Sequence, residues 1–137
     1  MKNLSATIFL APFDFFGLGK AKDPSKDDKK AGKASVRNIS PKQAKDIMDE
    51  GKPYTLLDVR TKDEFRGGHI KGATLIPVNE IESSAETKLP DKNAVILVYC
   101  QSGGRASRAA KILAGMGYTN VNNFGGIMSW PYDTVNG

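Results

Sequence analysis

The only cysteine in the chain, Cys100, stands in the run Tyr99-Cys100-Gln101-Ser102-Gly103-Gly104-Arg105. A sulfur nucleophile, two glycines and an arginine in one short turn are the parts needed to attack an anionic substrate. Glycines let a turn curl tightly and direct successive backbone N–H groups inward as an anion-binding nest. A helix starting at the same point adds its partial positive charge and favours an anionic sulfur. Arg105 supplies a rigid fork of donors suited to an oxyanion. Cys100 is therefore the candidate nucleophile, and Gln101, Ser102, Gly103, Gly104 and Arg105 are the candidate substrate-binding loop. An inert buried thiol is the common role of a free cysteine, but it does not require the Gly-Gly-Arg that follows.

The flanking residues say what positions this turn. Ala94-Val95-Ile96-Leu97-Val98 is a continuous apolar, β-branched run and reads as a buried parallel strand. From Arg105 to Met116, the residues Ala109, Ile112, Leu113 and Met116 recur at helical spacing, and Gly117 ends the helix. Upstream, Val36 to Ile39 is a strand candidate, and Ser40-Pro41 caps and starts a helix that Gly51 stops. Tyr54 to Val59 is a second strand. Thr61 with Glu64 forms a capping box for a short helix closed by Gly67-Gly68, so Asp63 and Glu64 mark a helix start, not an acid–base pair. Thr74 to Val78 is a strand closed by Pro77, and the polar stretch from Ile81 to Leu89 is a helix or a loop. Val121 to Phe124 is a last strand, followed by Gly125-Gly126 and a short helix through Trp130. Strands alternating with helices predict an α/β fold, a central, mostly parallel five-stranded sheet with helices on both faces. Ligands of such sheets sit beyond the carboxyl ends of the strands, where Cys100 lies.

Composition removes several function classes. One cysteine excludes an intramolecular disulfide, and one cysteine with one histidine is too few for the usual zinc sites, so no metal is expected. Of the net charge of +5, residues 1–35 carry +3, from seven Lys against four Asp. The remaining body has no basic stripe with interleaved aromatics, which argues against a nucleic-acid surface. Residues 36–137 read as one domain, preceded by an apolar segment at 4–18 and a tether from Lys20 to Ser35 rich in Lys, Asp, Gly and Ser. The apolar segment resembles the core of an export signal, with Gly17-Leu18-Gly19 as a cleavage pattern, yet Pro12 and Asp14 interrupt it. Its other reading is an arm of the domain, which leaves both extracytoplasmic and cytoplasmic locations open. The segment is too short and broken for a stable membrane span.

Four motifs together resemble a single-domain rhodanese, the thiosulfate sulfurtransferase family. They are Leu57-Asp58-Val59-Arg60 with Glu64-Phe65, His69-Ile70-Lys71-Gly72-Ala73, Cys100-Gln101-Ser102-Gly103-Gly104-Arg105, and Gly125-Gly126-Ile127 with Trp130. The resemblance implies the rhodanese fold and a ping-pong transfer of sulfur through a Cys100 persulfide, from thiosulfate or a similar small anionic donor to cyanide or a thiol. It implies no organic cofactor, a monomer, and a thiol-redox protein among the partners. Asp58 and Arg60 are expected to form a pair that braces the site, and His69 to be a hydrogen-bonded structural residue. Gln101 stands where many members carry Arg or Lys, and Gly104 where a polar residue is usual, which predicts weak use of thiosulfate and room for a different donor. Two rivals are a sulfur-carrying binding module with little turnover and a cysteine phosphatase. The phosphatases place one more residue between cysteine and arginine, and Tyr99 stands where the tyrosine phosphatases have histidine.

Overall fold

The apolar runs do assemble into one sheet. In a computed structural model, described here over residues 36–137, the strands are β1 (Val36–Asn38), β2 (Thr55–Asp58), β3 (Thr74–Leu75), β4 (Ile96–Cys100) and β5 (Val121–Gly126). Their order is β1-β5-β4-β2-β3, and every pairing is parallel, so the expected "mostly parallel" sheet is wholly so among the described residues. The helices are α1 (Pro41–Asp49), α2 (Lys62–Arg66), α3 (Ile81–Lys88) and α4 (Gly104–Gly115). The apolar segment and tether read from residues 1–35 lie outside the described residues. Among those described, no helix is long and apolar enough to cross a membrane.

β4 is the middle strand, and all five of its residues are buried. Its side chains alternate between two cores, as the period of two requires. Ile96, Val98 and Cys100 join Ala106, Ala109, Ala110 and Leu113 of α4 and Ile81 and Ala85 of α3. Leu97 and Tyr99 join Ala44 of α1, Ile70, Phe124 and Trp130 on the other face. Continuous hydrophobicity along β4 is thus the signature of a strand covered on both sides.

The capping box expected at Thr61 and Glu64 forms, and Ser40, expected only as an N-cap, closes a second box with Gln43. In α1, Ser40 Oγ accepts from the Gln43 N–H at 3.0 Å while Gln43 Oε1 accepts from the Ser40 N–H at 2.8 Å. In α2, Thr61 Oγ1 accepts from the Glu64 N–H at 3.2 Å and Glu64 Oε1 accepts from the Thr61 N–H at 2.9 Å. Several boundaries differ from expectation. β4 runs Ile96–Cys100, so Cys100 ends the strand instead of lying in the turn after it. β3 is only two residues long, because Pro77 offers no donor to continue a ladder; the Ile76 and Val78 N–H groups still bond to the Asp58 and Val59 carbonyls. Of the two readings open for the polar stretch, the helix is the one formed, at Ile81–Lys88, held by burial of Ile81 and Ala85. The chain end forms a 3-10 turn at Ile127–Ser129 in place of a helix, and β5 runs on through Gly126.

Candidate active site

Cys100 is the last residue of β4, and its side chain points into the layer between the sheet and α4. The residue is 1 % exposed. The Gly103 N–H points at its sulfur, N to Sγ 3.0 Å. Gly103 makes this contact with φ +117°, a conformation that a residue with Cβ adopts only under strain. Gly104 does a different job from the one its sequence suggested: it is the first residue of α4, without a positive φ, and a Cβ there would meet open space. Only one glycine makes the turn. The amides of Gly104, Arg105 and Ala106 belong to the first turn of α4, where no preceding helical carbonyl exists to receive them. Ser102 is exposed on the outside of the loop.

The loop is held from beneath by β5. Cys100 pairs with Gly126 across a register shift between β4 and β5, and Gln101's carbonyl accepts from the Met128 N–H at 3.2 Å. A Cβ on Gly126 would stand 2.6 Å from Ser102 Cα and closer still to the Gln101 carbonyl oxygen, so only glycine fits. In the sequence Gly125-Gly126 is only part of a closing motif; the steric role of Gly126 depends on a register that sequence does not display.

Asp58 and Arg60 form the expected pair. Arg60 Nη2 lies 2.6 Å from Asp58 Oδ2 and Nε lies 3.0 Å from Oδ1, with the side chains 3 % and 0 % exposed. Burial works against the Arg60 charge, but the Asp58 bonds and charge outweigh it and keep the guanidinium protonated. The same fork reaches Gln101 Oε1 at 3.3 Å and the Gly68 carbonyl at 2.8 Å, and it lies over the Tyr99 ring. Arg60 thus ties the end of β2 to the first loop residue after the cysteine. The phenol of Tyr99, pushed well up by burial, accepts from the Ile70 N–H at 3.0 Å.

Arg105 has a partner that the spacing did not reveal. Its Nη1 and Nη2 lie 2.7 Å and 2.9 Å from Glu64 Oε1 and Oε2. Arg105 was expected to face an anion across the loop; within the chain that anion is Glu64. The Arg105 bonds, joined by those from Thr61, hold the Glu64 carboxyl down at about 2, well below the usual carboxylate range. Arg105 is in turn held charged by Glu64, with smaller contributions from Cys100 and Asp58. His69 is structural in its contacts: Nδ1 is 2.9 Å from the Phe65 carbonyl, the ring stacks on Phe65 at 3.7 Å, and its backbone bridges to Val135. Beside the loop lies a cleft of about 510 Å³ walled by Arg60, Glu64, Gln101, Ile127, Trp130 and Tyr132, among others. No group of His, Cys, Asp and Glu among the described residues is arranged to hold a metal ion.

Residues 40–132 match the rhodanese-like domain family. The chain belongs to that family. Among its relatives, the rhodanese is 38 % identical over 81 residues to the thiosulfate sulfurtransferase PspE of Escherichia coli, covering 59 % of this chain and 78 % of that protein. It is 32 % identical over 108 residues to thiosulfate sulfurtransferase 18 of Arabidopsis thaliana, covering 69 % and 78 %. A solved Escherichia coli rhodanese with anions superposes with a TM-score of 0.59 at 36 % identity, covering 62 % of this chain and all of that one. The rhodanese fold expected from the four motifs is therefore correct, and the protein is a rhodanese-type sulfurtransferase.

Proposed function

We propose that the domain of residues 36–137 moves a sulfane sulfur from thiosulfate or a similar small donor to cyanide or a thiol by way of a persulfide on Cys100. The observation that carries this reading is the Gly103 N–H aimed at Cys100 Sγ from 3.0 Å, at the mouth of α4. In the first half-reaction the Cys100 thiolate attacks the outer sulfur of thiosulfate. The Cys–S bond forms, the bond between the two donor sulfurs breaks with its electron pair, and sulfite leaves. In the second, cyanide attacks the terminal persulfide sulfur, thiocyanate leaves, and the thiolate is restored.

The loop residues other than Ser102 each have a part in this scheme. The Gly103 amide and the free amides of Gly104, Arg105 and Ala106 stabilise negative charge on the sulfur chain. Glu64 takes one N–H from each terminal nitrogen of Arg105, leaving the other donors of the fork for the sulfonate end. Arg60, anchored on Asp58, holds Gln101 and so the entry to the loop. The near-complete burial of Cys100 favours a slim terminal sulfur over a bulkier electrophile. The relatives named thiosulfate sulfurtransferases support thiosulfate as the donor class. The test is thiocyanate formation from thiosulfate and cyanide. Wild type is expected to turn over and Cys100→Ser to show none; equal rates in the two would overturn the reading.

A further inference from the structure

Glu64 does two jobs at once, and only one of them needs its charge. As the third residue of α2 it accepts from the Thr61 N–H at 2.9 Å, closing the capping box. In α1 the same task is done by a neutral residue: Gln43 accepts from the Ser40 N–H at 2.8 Å in a box of the same geometry. An amide therefore suffices to cap a helix of this protein. What distinguishes the carboxylate is its second contact, both oxygens on the two terminal nitrogens of Arg105 at 2.7 and 2.9 Å. With the carboxyl held down at about 2, that charge is present at neutral pH.

The consequence is a loop with little net positive charge. Arg105 is matched by Glu64 and Arg60 by Asp58. Gln101, in the position after the nucleophile, is neutral. A thiolate meeting thiosulfate gathers three negative charges in one place, opposed by backbone amides and a cancelled guanidinium. A donor with one charge fewer meets a smaller penalty.

We propose that Glu64, by neutralising Arg105 at the lip of the Cys100 loop, makes the site select sulfane-sulfur donors of low charge over dianionic ones. Glu64 is a positioning and charge-setting residue that acts through Arg105. This rests on the sulfur-transfer reading above and deepens it.

Two donors of like chemistry read the effect. Thiosulfate is a dianion and leaves as sulfite; methanethiosulfonate is a monoanion, with methyl in place of one oxygen, and leaves as methanesulfinate. Each gives Cys100 one sulfur, and charge balances in both. The quantity measured is kcat/KM for thiosulfate divided by kcat/KM for methanethiosulfonate, with cyanide as acceptor. Glu64→Gln keeps the cap and removes the charge, and the ratio is expected to rise at least about fivefold, on the scale of one unit charge acting at the edge of a protein site. Thr61→Ala, which breaks the cap and leaves the ion pair, is expected to leave the ratio where it is. A ratio that is unchanged or lower in Glu64→Gln overturns the proposal. The wild type gives a second reading that does not depend on how a variant folds. With a neutral lip, added salt screens no net attraction and does not lower kcat/KM for thiosulfate more than for methanethiosulfonate; a fall for thiosulfate well beyond that for methanethiosulfonate also overturns the proposal. Absence of any added sulfur on Cys100 with either donor would instead mark failure of the sulfur-transfer reading itself.

Discussion

Gly126 lies directly beneath Ser102, so close that a Cβ on it would come within 2.6 Å of the Ser102 Cα. The end of β5 is thereby the floor on which the cysteine loop rests, and the clash is with backbone, which cannot swing aside as a long side chain can. Gly126→Ala is expected to displace Gln101 and Ser102 and to abolish most sulfur transfer, while the sheet itself persists. Activity and far-UV circular dichroism on the same sample check this. Near wild-type activity would show that the loop tolerates being lifted.

The two loop glycines are expected to respond oppositely to alanine. Gly103 holds φ +117° and places its N–H on Cys100 Sγ, so Gly103→Ala should cost about 1–2 kcal/mol of stability. Gly104 opens α4 with a helical backbone and open space where a Cβ would go. Gly104→Ala should be neutral or stabilise by up to about 1 kcal/mol, by restricting the unfolded chain. Denaturant unfolding of the pair measures the contrast.

How much of this was legible beforehand divides along the distance between partners. Thr61 and Glu64 are three residues apart, so their capping box follows from local spacing, as does the N-cap role of Ser40 before Pro41. The Cys100 loop is likewise one continuous stretch, and its place at a strand's carboxyl end follows from the alternation of elements. Glu64 and Arg105 are separated by 41 positions, and Glu64 already had a complete local explanation, which concealed its second partner. Gly126 was hidden for another reason: its closeness to Ser102 depends on a register shift between β4 and β5. The Ile81–Lys88 helix stayed undecided because it buries only Ile81 and Ala85, too few positions to set a period.

The buried pair at the end of β2 gives a stability prediction. Asp58→Asn would leave the Arg60 guanidinium, 3 % exposed, without its counter-charge. Removing one member of such a pair costs on the order of 3–5 kcal/mol, because the remaining charge is still withheld from water. The loss should appear as a lower denaturant midpoint, together with a loosened Gln101, since the same fork holds it. A change under about 1 kcal/mol would mean that water reaches Arg60 readily.

Acid should act through Glu64. Its carboxyl sits at about 2 in the folded protein, against the 4.5 of an ordinary glutamate, so the unfolded chain binds the proton more readily. The contribution is complete above the unfolded value and is lost as pH falls from about 5 toward 2. Thermal unfolding from pH 7 to pH 2.5 should therefore decline more steeply in wild type than in Glu64→Gln, the two curves converging at the acid end. Parallel curves would show that the ion pair with Arg105 adds nothing in solution.

The central claim is that Cys100 carries the sulfur, and the intact mass of the protein reads this most directly. After incubation with thiosulfate and removal of the excess, the wild type is expected to gain the mass of one sulfur atom, lost again on adding cyanide. Cys100→Ser is expected to gain nothing. A wild-type mass that does not change, or a gain of one sulfur that survives in Cys100→Ser, would contradict the account.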